Sequence, residues 1–223
     1  MEVVVIGGAG HVGLPFGLVA ADQGHHVVAY DKDVEAVDRV MRGEMPFMEE
    51  GAPDLLRHVL DSGSFSASTD AGVVSGAEVV VVVIGTPVDE HLNPDPSAVV
   101  DALTGLADRF RAGQLVILRS TVFPGVTRRV EAWFAEQHPE VSVAFCPERI
   151  AEGFALSEIV SLPQLVGARI EGVSARAAAF FETLGVEAIE VLPEEAELAK
   201  LFTNTWRYVK FAAANQFWMM ANE

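Results

Sequence analysis

Three glycines, Gly8, Gly10 and Gly13, stand in G-x-G-x-x-G spacing inside the run GGAGHVG, with His11 and Val12 between the last two. The apolar run before them reads as a buried strand and the residues after them as the start of a helix. Glycines in that position let the backbone turn sharply and bring a pyrophosphate close to the free N–H groups of a helix N-terminus. Asp31 closes the next strand-like run, 18 residues past Gly13. A carboxylate there accepts hydrogen bonds from the 2′- and 3′-hydroxyls of an adenosine ribose and repels a 2′-phosphate. The set predicts a site for NAD rather than NADP. Singly, the glycines read equally as an ordinary turn and Asp31 as a solvated turn carboxylate; neither reading accounts for the whole set.

Three further segments place hydroxyls and carboxylates just after strand-like runs: GTPVD (85–89) with Thr86, RSTVFPGVT (119–127) with Thr121, and CPERIAEG (146–153) with Glu148 and Glu152. Ligands of parallel α/β sheets bind outside the carboxyl ends of the strands, so these are site candidates. A fourth lies near the C-terminus, where Glu197, Lys200, Asn204 and Arg207 follow at +3, +4 and +3. That spacing makes one polar stripe along a helix, opposite Leu198, Leu201, Thr205 and Val209. Plainer readings exist for each: Glu148 and Glu152 as solvated loop charges, Thr121 as a local backbone cap before Pro124, Lys200 as a snorkelling surface residue.

The elements that must position these residues alternate in a regular rhythm. Strands are expected at 2–7, 26–31, 64–68, 78–85, 114–120 and 141–146, and helices at 12–23, 34–42, 53–61, 97–110 and 125–137. Apolar strands alternating with amphipathic helices call for a parallel sheet covered on both faces, hence an α/β, doubly wound, Rossmann-like domain. The passage PERIAEGFALSEIVSLP reads as loop-rich. After it, QLVGA, the helical SARAAAFFETLG and EAIEV extend the same sheet. From Glu194 onward no helix breaker occurs, so one helix of roughly 30 residues is expected, well above the mean length. The division expected is a nucleotide-binding domain over 1–193 and, over 194–223, the start of a central helical dimerisation domain.

With 15 basic and 32 acidic residues the formal charge is −17, which argues against nucleic acid and anionic membranes as partners. The N-terminus lacks the pattern of a secretory signal, and the longest apolar run, 79–85, is too short to span a bilayer, so a cytoplasmic protein is expected. The single Cys146 excludes an intrachain disulfide and a multi-cysteine metal site, and no metal is expected.

With GGAGHVGLP, GTPVD, RSTVFPGVT, CPERIAEG, the Lys200 and Asn204 pair and AANQ (213–216) in this order, the whole chain resembles the UDP-glucose/GDP-mannose dehydrogenase family. CPER and AKLFTNTWR look closest to its UDP-N-acetylmannosamine dehydrogenase branch. The resemblance implies oxidation of the C6 alcohol of a UDP-sugar to a uronic acid with two NAD. It places Thr86 and Thr121 against the cofactor, with Thr121 holding a catalytic water. Glu148 is linked to general acid/base work, and Glu152 touches cofactor and substrate regions. Lys200 steadies the developing oxyanion, and Asn204 hydrogen-bonds the same region. Hydride loss from an alcohol needs a base, or a base-organised water, beside a charge stabiliser, and Glu148 and Lys200 offer such a pair. The long C-terminal helix also predicts a homodimer, because Phe217, Trp218, Met219 and Met220 near its end are too apolar to be left in water.

Two departures stand out. The family's thioester-forming cysteine lies well downstream of the Lys and Asn, so these residues are expected to bind NAD without completing the reaction; Cys146 matches a non-catalytic position. Ala36 stands where the family often carries a basic residue near the adenosine ribose, leaving Lys32 or Arg39 as nearby cations. A non-catalytic NAD-binding or dimerisation module, and a β-hydroxyacid-type dehydrogenase, are the alternatives.

Overall fold

The computed structural model describes residues 1–85, 95, 97–151 and 153–222. Its strands are β1 (Glu2–Ile6), β2 (His26–Tyr30), β3 (Phe65–Ser68), β4 (Val79–Val82), β5 (Leu115–Leu118), β6 (Ser142–Phe145), β7 (Gln164–Gly167) and β8 (Ala188–Val191). The α-helices are α1 (Gly13–Asp22), α2 (Val34–Met41), α3 (Ala52–Asp61), α4 (Ala98–Thr104), α5 (Val126–Gln137), α6 (Ala155–Ser161), α7 (Glu171–Thr183) and α8 (Pro193–Asn222). The strands form one sheet in the order β3-β2-β1-β4-β5-β6-β7-β8. All pairings are parallel except β6–β7, which meet antiparallel at the single pair Phe145 and Gly167.

The unbroken valine runs explain why these strands are central. Val3, Val5, Val79 and Val81 face one layer with Leu14, Leu18 and Phe180, while Val4, Ile6, Val80 and Val82 face the other with Leu103, Val130 and Phe134. Each side chain so buried contributes roughly 1.5–3 kcal/mol, which neither face could supply if it met water. Helix α1 has no polar stripe because α3 and α6 cover its outer side.

Two local readings differ from the sequence expectation. The helix expected over 97–110 stops at Thr104 with Gly105 as its C-cap, and a separate 3₁₀ turn follows at Ala107–Arg109. The passage read as loop-rich contains α6, whose N-cap Phe154 has no capping side chain. Its start is held by a carboxylate from far away in sequence, a signal that no local pattern carries.

Helix α8 runs for 30 residues with Pro193 at its first position, where a missing N–H costs nothing. Glu195 reaches back to accept the Leu192 N–H at 2.8 Å, and Glu194 binds Arg128 at 2.7 Å and Arg169 at 2.5 Å. The helix crosses β7 so closely that a Cβ on Gly167 would lie 2.9 Å from the Pro193 Cα and 3.0 Å from the Ala196 Cβ. No helix among the described residues is long and apolar enough to cross a membrane.

Candidate functional site

Between β1 and β4 the sheet order reverses, and the carboxyl ends of β1, β2, β4, β5 and β6 open on one edge. Gly7 follows β1 with φ 78°, its N–H donated to the Tyr30 carbonyl at 2.9 Å. Gly8 packs on Ala29, and Gly13 sits over Gly7, where a Cβ would come within 2.2 Å of the Gly7 oxygen. Gly10 is different: a Cβ there would meet nothing nearer than 3.5 Å, so its outer face is open. The glycines thus divide into a turn residue, two packing residues and one exposed face, with the uncapped start of α1 immediately behind.

Two clefts meet at this turn and share Gly7, Gly10, Val83, Ile84 and Gly85. One, of about 320 Å³, is lined by Tyr30, Asp31, Lys32 and Leu106. Asp31 accepts the Ala9 N–H at 3.0 Å and the Asp33 N–H at 3.1 Å, so it fixes the glycine turn as well as facing the cleft. Of the cations near Ala36, Lys32 lines this cleft, whereas Arg39 donates to the Met45 carbonyl at 3.2 Å. The second, of about 360 Å³, is lined by His11, Val12, Gly13, Thr121, Glu148 and Lys200, among others. An elongated dinucleotide fits this pair: a ribose acid at one end, an open glycine and free helix start in the middle, and polar side chains at the other.

The polar end is organised by a residue that sequence reasoning passed over. Arg119, buried at the end of β5, lies over the rings of Phe16 at 4.6 Å and Phe181 at 5.3 Å, donates to Gln164 Oε1 at 2.9 Å and pairs with the Glu148 carboxylate. The second Glu148 oxygen accepts the N–H groups of Arg149 at 2.7 Å and Ile150 at 3.1 Å. Burial alone would raise the pKa of Glu148, but the Arg119 charge and these hydrogen bonds bring it below the ordinary value. The Lys200 ammonium donates to the main-chain carbonyl of Glu148, not to its carboxylate. Burial is the main cause that lowers Lys200, with Arg119, Arg207 and Arg149 adding to it against Glu148, and the result is a pKa of about 8. A charged residue directly after the apolar run LVIL (115–118) is the signal that could have flagged Arg119.

Lys200 and Glu148 are 8% and 7% exposed, so neither is a solvated surface charge. Asn204, one turn further along α8, is exposed, and Arg207 donates to the Arg149 carbonyl at 3.4 Å. Thr86 and Glu152 lie outside the described residues. Ser120 Oγ accepts the Ile84 N–H at 2.8 Å and ties the ends of β4 and β5 together beside Thr121. Cys146 is fully buried, and burial pushes its thiol up to about 12, which suits packing and not nucleophilic chemistry.

Glu197, 1% exposed, takes part in the site indirectly. Its carboxylate accepts the Gly125 N–H at 2.6 Å, the Thr127 N–H at 2.8 Å and the Thr127 hydroxyl at 2.6 Å. Helix α5 has no acidic residue in its first turn and a glycine N-cap, so α8 supplies the anion that its N-terminus lacks. This bond set fixes the loop bearing Thr121 to the helix bearing Lys200. Glu197→Gln keeps the shape but turns an amide donor toward the Gly125 N–H. It is expected to cost about 2–3 kcal/mol and to lower the Tm by roughly 4–12 °C. A melting temperature within about 2 °C of the parent would contradict the capping role.

The strand order, the glycine turn at its reversal and the acid at the end of β2 define a doubly wound, dinucleotide-binding protein. The chain belongs to the UDP-glucose/GDP-mannose dehydrogenase family, whose NAD binding domain matches residues 1–185, and its cofactor is NAD. It is 28% identical to UDP-N-acetyl-D-mannosamine dehydrogenase of Yersinia pestis, with 100% of the chain and 55% of that protein aligned. It is also 28% identical to NDP-N-acetyl-D-galactosaminuronic acid dehydrogenase of Ralstonia nicotianae over the same shares, 100% and 55%. The solved UDP-D-ManNAc dehydrogenase of Pyrococcus horikoshii superposes with a TM-score of 0.91 at 27% identity, over 99% of the chain and 54% of that structure. The chain spans about half the length of these relatives.

Proposed function

We propose that this chain forms the cofactor half of a nucleotide-sugar 6-dehydrogenase, which oxidises the C6 alcohol of a UDP-sugar to the uronic acid. NAD, when bound, supplies the hydride acceptor. The observation that carries the reading is a buried Lys200 ammonium, with a pKa of about 8, in the same cleft as the glycine turn and Thr121. A non-catalytic module gives no reason to bear the cost of that buried charge. Lys200 steadies the alcohol oxygen as charge develops on it, and the alcohol proton passes through a water held by the Thr121 hydroxyl to bulk solvent. In this reading Thr86 is a cofactor ligand, Glu152 serves cofactor and substrate, and Asn204 hydrogen-bonds the substrate.

Glu148 takes a different part from the proton carrier expected of it. Its oxygens are occupied by Arg119 and two N–H groups, and its lowered pKa makes it a weak acceptor and no donor. We assign it as a positioning residue whose carbonyl holds Lys200. Capture of the aldehyde belongs to a cysteine outside residues 1–223, because Cys146 is fully buried and its thiol is pushed up to about 12.

The test is NADH formation on incubating the full-length protein with NAD and UDP-N-acetylmannosamine, UDP-glucose or a 3-hydroxy acid. Reduction with a UDP-sugar and none with the hydroxy acid is expected. Reduction with the hydroxy acid alone would overturn the assignment, as would none with any nucleotide sugar. We also assign 194–223 to a dimerisation domain. Phe202, Trp206, Phe211, Phe217 and Trp218 are each more than 60% exposed along α8, apolar area that a second copy would cover. Sedimentation showing only monomer would exclude it.

A further inference from the structure

The segment GEMPFMEEG (43–51) carries none of the roles above, yet it touches the site at two points. The ring of Phe47 stacks on His11 of the glycine turn, with centroids 4.1 Å apart and planes 20° from parallel. Two residues on, Glu49 is 6% exposed, and its carboxylate accepts the Gly153 N–H at 2.9 Å and the Ala155 N–H at 2.6 Å. These amides lie at the far end of the loop that begins with Glu148. On the near side, the Ala151 N–H is donated to Glu158 Oε2 at 2.5 Å. The segment is itself anchored, since Met45 and Phe47 pack on the core and Arg39 holds the Met45 carbonyl.

A buried carboxylate is costly unless its oxygens are well paired. If the start of α6 needed only a cap, a serine or aspartate in place of Phe154 would provide one locally, without desolvating a distant charge. A glutamate 106 positions away in sequence does something a local cap cannot: it binds one site loop to another.

We propose that residues 43–51 are a strap between the cofactor turn and the loop after β6, with Glu49 the positioning residue that sets the Gly153–Ala155 end of that loop according to where His11 stands. This rests on NAD occupying the glycine turn, and not on the sugar substrate. A dinucleotide on the turn restrains His11, the stacked Phe47 follows it, and Glu49, two residues further, carries the restraint to the two amides. Those amides belong to the loop whose other end presents the Glu148 carbonyl to Lys200.

Amide hydrogen exchange at Gly153 and Ala155, read by two-dimensional NMR with and without saturating NAD, tests this. In the parent protein NAD is expected to slow exchange at both amides by about tenfold or more. In Phe47→Ala the same NAD should change them less than about twofold. In Glu49→Gln both should exchange about tenfold faster than in the NAD-free parent, and NAD should change them less than about twofold. Full NAD-linked slowing in Phe47→Ala would overturn the strap, and parental protection in Glu49→Gln would overturn the role of Glu49. NAD-induced shifts at Gly10 and Gly13 without slowing at Gly153 and Ala155 would refute the strap alone. No shift at Gly10 and Gly13 would refute the cofactor site beneath it and the coupling with it.

Discussion

Replacing Lys200 with methionine is expected to cut NAD reduction by about 10²–10³-fold and at the same time to stabilise the fold at pH 7. The first effect follows from removing the one cation that meets the reacting oxygen in the proposed chemistry. The second follows from where that cation sits: burial is the main cause of its lowered pKa, so at neutral pH the folded state carries a charge it solvates poorly. Methionine has similar length and no charge to desolvate. Against this stands the lost bond from a charged donor to the Glu148 carbonyl, worth about 1.5–3 kcal/mol, which leaves a net gain of up to about 2 kcal/mol or up to roughly 8 °C in Tm. The sign with pH is fixed by linkage. Below about 8 Lys200 is protonated in both folded and unfolded states, and the penalty is present in full. Between about 8 and the ordinary lysine value of 10.5 the folded protein has released the proton while the unfolded chain keeps it, so the parent gains stability with rising pH. The advantage of Lys200→Met should therefore be largest below pH 8 and fade above it. Melts across that range check this, and a difference that stayed constant with pH would exclude Lys200 as its source.

How far the sequence reached is clearest from residues of this kind. The valine runs and their spacing foretold the strands, because a run apolar at every position can only be buried on both faces. The +3, +4 pattern foretold that Glu197, Lys200 and Arg207 share one side of α8. It could not tell that this side is buried at Glu197 and Lys200 and exposed by Asn204, while Leu198 and Val209 on the apolar side are left exposed, the reverse of the usual amphipathic arrangement. Residues acting across long separations were illegible for a common reason: a carboxylate that caps another element has no local signature. Glu197 on α5 and Glu49 on α6 are both of this kind, and only the folded chain brings the partners together. The glycine motif was legible as a set but not in its division of labour. Spacing drew the eye to Gly8, Gly10 and Gly13, and the residue under the greatest constraint stands just before them.

Gly7→Ala is expected to be the most damaging single substitution near the site, costing upwards of about 4 kcal/mol. Its φ of 78° lies in the left-handed region, which alone costs an alanine roughly 1–2 kcal/mol. The larger part is steric. A Cβ at this position would lie 1.9 Å from the Val83 carbonyl oxygen and 2.9 Å from its carbon, both backbone atoms that no rotamer change can move aside. Neither neighbour is free to give way, because the Val83 N–H is bonded to the Ile6 carbonyl at 2.8 Å and the Gly7 N–H to the Tyr30 carbonyl at 2.9 Å. Relief requires parting β1 from β4 or from β2 at the centre of the sheet. Against a total stability of about 5–15 kcal/mol, that is enough to leave the variant partly unfolded or expressed in insoluble form. Gly10→Ala supplies the contrast, since its added carbon meets nothing nearer than 3.5 Å in the protein and, in the proposed cofactor placement, crowds the pyrophosphate. It should melt within about 2–4 °C of the parent yet bind NAD at least about tenfold more weakly. Urea unfolding and NAD titration on the two variants separate the roles. A stable Gly7→Ala protein, or a Gly10→Ala protein with parental NAD affinity, would show that the turn is not divided between a residue that serves the fold and one that serves the ligand.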